Sequence, residues 1–154
     1  MKKVINIILI LSFLNTTSCG FTPILVQSNY NFSYIIEKST GNDRVNSIIN
    51  EVLKTLNGNE KTYSISLNSK ESKAILSKDS KGDPSILEIV INLTYIIKEN
   101  GKIIVNKSLT QRRTYNNISD KFELEKYEEI LVGNLTMNLA QDIISSTLAI
   151  SNDN

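Results

Sequence analysis

The segment Ser85-Ile86-Leu87-Glu88-Ile89-Val90-Ile91-Asn92-Leu93-Thr94-Tyr95-Ile96-Ile97-Lys98, followed by Glu99-Asn100-Gly101-Lys102, decides the fold. Leu87, Ile89, Ile91, Leu93, Tyr95 and Ile97 recur at every second position, and in an extended chain successive side chains point to opposite faces. These six therefore line one face of a strand. Ile86, Val90 and Ile96 make the other face partly apolar, which marks a strand lying centrally in its sheet. Asn100-Gly101 is the strongest short-range hairpin signal, because a two-residue type I′ turn needs positive φ at both central residues. It predicts an antiparallel return over Lys102–Tyr115, with Ile103, Val105 and Leu109 sharing a face that Lys107 interrupts.

Upstream, Lys78–Pro84 (KDSKGDP) reads as a turn or loop. Before it lies a strand beginning near Thr62. Tyr63, Ile65 and Leu67 point one way while Ser64, Ser66 and Asn68 point the other, so one face is wet. The alternation weakens at Ser69–Ser72 and returns at Ala74–Leu76. The clearest helix is Arg44–Leu56, where Val45, Ile48, Ile49, Val52, Leu53 and Leu56 fall on one stripe at helical spacing. Thr40-Gly41-Asn42-Asp43 is a turn suited to cap it, and Asn57-Gly58 has the composition of a C-cap. Phe32–Lys38, rich in aromatic and β-branched residues, is a first strand.

Downstream, Leu124, Tyr127, Leu131, Leu135, Leu139 and Ile143 keep helical spacing. The helix starts near Asp120, which with Glu123 approximates a capping box, and Glu125, Glu128 and Glu129 bring negative charge toward the helix N-terminus. Ser145–Asn154 is expected to fray. The element order is β-α-β-β-β-α. Two amphipathic helices need one sheet face to cover, so the expected fold class is α+β, a two-layer sandwich of two helices on one face of a four-stranded mixed sheet. The first two strands, joined through a helix, are candidates for a parallel pair, and the others for antiparallel ones.

The N-terminus reads MKKVINIILILSFLNTTSC: two lysines, an apolar run from Val4 to Leu14, small polar residues, and the single cysteine. The apolar run is of signal-peptide length, about 7–15 residues, and short of the roughly 20 that span a bilayer. Thr16-Thr17-Ser18-Cys19 resembles a lipobox, although Thr16 replaces the usual leucine. The expectation is a signal peptide over residues 1–18, a lipidated N-terminal leader over 19–30, a single domain over 31–150 and a disordered tail over 151–154. Cys19 would carry an N-acyl chain and an S-diacylglycerol group. One acyl chain anchors marginally, at about 0.8 kcal/mol per buried CH₂, whereas several hold stably. Gly20, where an aspartate often favours the inner membrane, points to the outer membrane.

Removing residues 1–18 from 154 leaves 136, and losing two lysines takes the formal charge from +1 to −1. A near-neutral chain of this size has room for one core and is not a general nucleic-acid binder. It contains no histidine and one cysteine, which excludes common Cys/His zinc sites, Ser-His-Asp triads, Cys-His pairs and intrachain disulfides. Glu123, Glu125, Glu128 and Glu129 sit at a helix start, where they serve capping. They lack the cleft-bound pair that acid–base chemistry needs. The expectation is a non-enzymatic protein without metal or cofactor beyond its lipid.

Several segments together resemble the lipopolysaccharide-assembly lipoprotein family LptE in its alphaproteobacterial form. Cys19-Gly20-Phe21-Thr22-Pro23-Ile24-Leu25 is similar to that family's CGF-x-PLY opening. Asp43–Leu53 (DRVNSIINEVL) resembles its first helix, with Ile49 in place of a second arginine. Thr62–Leu67 and Arg113-Thr114-Tyr115-Asn116, followed by a long terminal helix, are similar too. The resemblance spans nearly the whole chain. It implies a lipid-anchored protein on the periplasmic face of the outer membrane that plugs an LptD-type β-barrel, helps it assemble and contacts lipopolysaccharide. Lipopolysaccharide phosphates call for cations, so Lys70, Lys73, Arg112 and Arg113 are candidate contacts, with Lys78 and Lys81 beyond. Arg112 and Arg113 are consecutive on a strand, so only one can face a shared surface. Tyr115 and Tyr127 read as core or rim residues. The alternative is a periplasm-facing lipoprotein of another envelope-assembly complex, or a lipid-anchored ligand-binding module.

Overall fold

The computed structural model describes residues 30–152. The expected signal segment 1–18, Cys19 as the expected lipidation site, and the leader up to residue 29 lie outside the described residues. Within them the chain runs β1 (Phe32–Gly41), α1 (Asp43–Lys54), β2 (Lys61–Lys78), β3 (Pro84–Glu99), β4 (Lys102–Asn116) and α2 (Lys121–Asn152). The fold is the expected α+β layout.

β3 is central, as its two apolar faces require. The sheet order is β1-β2-β3-β4, with β1 and β2 parallel and the other pairs antiparallel. Ile89, Ile91, Leu93, Tyr95 and Ile97 are fully buried. Asn100 (φ 51°) and Gly101 (φ 81°) both take positive φ, the geometry a type I′ hairpin demands. One detail of β4 departs from expectation. A bulge sets Ile97 opposite Val105 and Lys98 opposite Ile103. Ile104 therefore packs against the core while Ile103 points out, 53% exposed.

β2 is one strand of 18 residues that runs straight through the stretch where the alternation weakens. Ser69, in that stretch, is buried and donates to Asn46 Oδ1 of α1 at 2.8 Å, while Asn46 Nδ2 donates to the Thr40 carbonyl at 2.9 Å. A serine satisfied by a helix side chain keeps the strand buried there without an apolar residue. The pairing of β1 with β2 ends at Gly41–Ser69. Beyond it Lys70–Lys78 has only β3 beside it, and Ile75 and Leu76 are about half exposed. Their return to apolar character therefore adds nothing to the core.

α1 is capped by Asn42, whose Oδ1 accepts from Val45 N at 2.9 Å. Val45, Ile49 and Leu53 are fully buried from one stripe, and Leu56 is buried just past the helix end. Gly58 is not the expected left-handed cap, since the helix closes at Thr55 in right-handed geometry. A Cβ on Gly58 would stand 1.9 Å from Phe32 N and 2.2 Å from Asn31 C. It is glycine because two backbone segments cross there.

α2 begins as read: Asp120 Oδ1 accepts from the backbone N of Phe122 and Glu123. At 32 residues it is about 48 Å long. The expected fraying from Ser145 does not occur. Thr147 is fully buried, and Leu148 and Ile150 pack on the core. The hydroxyls that weaken the helical signal there have partners. Tyr95 Oη donates to Ser146 Oγ at 3.1 Å, and Tyr34 Oη lies 2.5 Å from Thr147 Oγ1. Both helices cover one sheet face, α1 over β1 and β2, α2 over β3 and β4.

Candidate functional site

The helices leave the other sheet face open, and strand periodicity decides which side chains stand on it. In register across the strands lie the rows Ser66–Ile96–Asn106, Asn68–Thr94–Ser108, Lys70–Asn92–Thr110 and Ser72–Val90–Arg112. Hydroxyls and amides dominate and bond laterally. Thr94 Oγ1 and Ser108 Oγ are 2.9 Å apart, and Thr110 Oγ1 donates to Asn92 Oδ1 at 2.8 Å. Across β1, β2 and β3, Lys98 Nζ reaches Glu37 Oε2 at 2.7 Å. That hydrogen bond, against a smaller desolvation, holds the Glu37 carboxyl below the usual carboxylate value, with Ser64 and Ser66 also donating. The face is mainly polar with a few charges, interrupted by Val90, Ile96 and the exposed Ile35 and Ile103.

The four candidate cations divide between the two faces. Lys70 and Arg112 are both on the open face, one row apart on β2 and β4, with Cα atoms roughly 12 Å apart by ordinary strand spacings. Both are exposed, and neither has an ion-pair partner among the described residues. Lys73 and Arg113 instead flank Ile89 in one row on the helix-covered side. Lys73 is committed there to Glu128 of α2, whose other oxygen accepts from Tyr115 Oη at 2.5 Å. Burial raises the Glu128 pKa, but the hydrogen bonds from Lys73 and Tyr115 and the Lys73 charge outweigh it, so the carboxyl sits below its usual value. Burial, then the bond to Glu128, pushes the Tyr115 phenol up. Lys73 is thus a structural clamp between β2 and α2.

Lys78 and Lys81 stand at the β2–β3 turn, whose Asp79 Oδ1 accepts from the backbone N of Lys81 and Asp83 at 2.9 Å each. Tyr115 is core and Tyr127, 40% exposed, is rim, their rings meeting edge to face. Glu129 pairs with Arg44 at 3.4 Å. Lys98 and Lys107 were not among the sequence candidates. Strand parity puts both Lys98 and Glu37 on the open face, and the parallel β1–β2 pairing, with a bulge at Glu37, brings them within reach across β2. Among the described residues no cluster of Asp, Glu, Cys or His is arranged to hold a metal, and no helix is long and apolar enough to cross a membrane. A cavity of about 190 Å³ lies at the opposite end of the domain, between Tyr30, Phe32, Lys61 and Leu148.

The architecture has counterparts of known structure. It is similar to the rare lipoprotein B of Shewanella oneidensis, with a TM-score of 0.60 at 15% identity over 79% of this chain and 96% of that one. It is also similar to an uncharacterized lipoprotein B of Nitrosomonas europaea, with a TM-score of 0.58 at 18% identity over 85% of this chain and 94% of that one. At such identities the likeness establishes the fold. No protein-family model matches the chain, and no curated protein matches it in sequence.

Proposed function

We propose that this protein is an outer-membrane lipoprotein that partners an LptD-type β-barrel in lipopolysaccharide transport, acting as plug and assembly factor. The observation that carries the reading is the asymmetry of the sandwich. One sheet face is covered by helices, and the other is mainly Ser, Thr and Asn with scattered charge and a few apolar side chains such as Ile96 and Ile103. The lumen of a large outer-membrane barrel is polar and wet, and such a plane can lie against it through hydrogen bonds and bridging water. Two further points support it: the fold likeness to lipoproteins and the sequence resemblance that begins at Cys19. The anchor would hold the domain beside its barrel. Catalysis has no place in this reading.

On the same reading Lys70 and Arg112 are the lipopolysaccharide phosphate contacts, being the two original candidates that share the open face. Lys73, on the helix side and paired with Glu128, is a weaker candidate for that role. Crosslinking followed by purification from solubilised outer membranes tests the partnership. The expected result is co-recovery of a large β-barrel, with loss of surface lipopolysaccharide on depletion while other barrels assemble normally. Absence of any barrel partner, or general loss of barrels, would sink the proposal. For the anchor, Cys19→Ala should release the chain from membranes.

A further inference from the structure

β4 is bare along its outer side. It ends the sheet order, and among the described residues no backbone group outside β3 bonds to it. Its 15 residues present unpaired N–H and C=O groups at alternate positions, which is a template for one more strand. The same strand carries Lys102, Lys107, Arg112 and Arg113 and no acidic residue. All four are exposed, and none belongs to an ion pair among the described residues. The carboxylates nearest in register on β3 are Glu99, opposite Lys102, and Glu88, opposite Thr114. Neither closes an ion pair with β4.

We propose that the β4 edge is a docking site for an extended acidic segment of a partner protein, which adds to the sheet as a fifth strand. The charge pattern selects this occupant over others. A second copy of β4 would bring like charges together, which edge lysines and arginines are suited to prevent. A strand of opposite sign gains both the ladder and the charge. Arg112 lies on the open face, and Arg113 and Lys107 on the helix side. An added strand also alternates its side chains, so acidic residues at successive positions each meet a cation. Arginine favours this because its guanidinium binds carboxylate in a two-pronged geometry. Ladder hydrogen bonds supply affinity and the flanking cations supply selectivity, the usual division in strand addition. A phosphorylated glycolipid offers charge but no ladder. The inference stands independently of the barrel partnership.

The test uses the full chain purified in detergent and a ten-residue peptide of alternating glutamate pairs and valine pairs (Glu-Glu-Val-Val repeats), which puts carboxylates on both faces of the added strand. The control is the same peptide N-methylated at alternate residues, which keeps the charge and removes the ladder donors. The expected result is binding of the plain peptide alone, with slowed hydrogen exchange at those β4 amides that do not bond to β3. Arg112→Glu with Arg113→Glu should weaken binding about tenfold or more, the size expected when charge-assisted hydrogen bonds are lost. If that variant loses its far-ultraviolet dichroism, Arg112→Gln with Arg113→Gln takes its place. Equal binding of both peptides would show an adventitious polyanion effect and overturn the proposal. So would no binding, β4 protection that rises with protein concentration alone, or the same β4 protection from purified lipopolysaccharide.

Discussion

Thr147→Val is the sharpest probe of how this domain closes. Thr147 has one hydroxyl hydrogen, and its Oγ1 donates to the Ile143 carbonyl at 3.0 Å. The Tyr34 phenol, 2.5 Å away, must therefore be the donor in their contact. Burial holds that phenol well above its ordinary pKa, against the opposing pull of the Thr147 bond, so it stays protonated and able to donate. Valine matches threonine in shape but accepts nothing. The Tyr34 hydroxyl, on a residue only 8% exposed, would be stranded, at a cost of about 1–3 kcal/mol. Tyr34→Phe removes the donor itself and should cost less, about 0.5–1.5 kcal/mol. In the double variant no orphan remains, so its cost should fall short of the summed single costs by about 1–2 kcal/mol. That is well outside the roughly 0.3–0.5 kcal/mol within which independent sites add. Urea unfolding followed by circular dichroism, with unchanged m-values, reads each term. Additive single costs, or a neutral Thr147→Val, would refute both the buried bond and the packing of the last turns of α2.

Four other outcomes follow from the same structure. Gly58→Ala drives a methyl into the Phe32 and Asn31 backbone and should destabilise by about 3 kcal/mol or more. Gly133→Ala, with nothing within 4 Å of the new Cβ, should stabilise α2 by about 0.8–1.0 kcal/mol by helix propensity. A pair of melting curves checks both. Glu128 has a folded-state pKa depressed below its usual 4.5. Its stabilisation is complete above that value and is lost as pH falls through the folded pKa. Glu128→Gln should therefore flatten the acid side of a stability-versus-pH profile below about pH 4.5, and an unchanged acid limb would show that the Lys73–Glu128–Tyr115 clamp is not coupled to folding. Arg44→Ala breaks an ion pair whose side chains are 46% and 55% exposed, and should cost no more than about 0.2–1 kcal/mol by the same unfolding assay.

Where burial and period agreed, the sequence could be read directly. The β3 alternation, the Asn100-Gly101 turn and the Val45–Ile49–Leu53 stripe each produced the element they implied, because apolar burial alone dictates them. The misreadings fall where polar groups are buried with partners. Ser69 weakens the β2 alternation because its partner, Asn46, lies 23 positions away. Ser145–Thr147 looked like a fraying end because Tyr95 and Tyr34, which hold it, are farther still. Asn57-Gly58 has the local composition of a cap, and nothing local reveals that two segments of backbone meet at Gly58. For the candidate site, parity separated Arg112 from Arg113 in advance. Parity alone could not show that Lys73 would be spent on Glu128, since that needs α2 to lie over β2.

The bond between Tyr34 and Thr147 joins positions 113 apart, near the two ends of the described chain. It sets an order of assembly. The β2–β3–β4 meander is built from near neighbours and can form as soon as residue 116 is available. β1 is different: it pairs in parallel with β2 across the α1 crossover, and its Tyr34 stays without a donor's partner until the final turns of α2 arrive. Until the segment around Thr147 is delivered, the β1 end of the domain lacks this bond. A chain cut after Ile144 should therefore be protease-sensitive at β1, and adding the turns that carry Thr147 is what latches it shut.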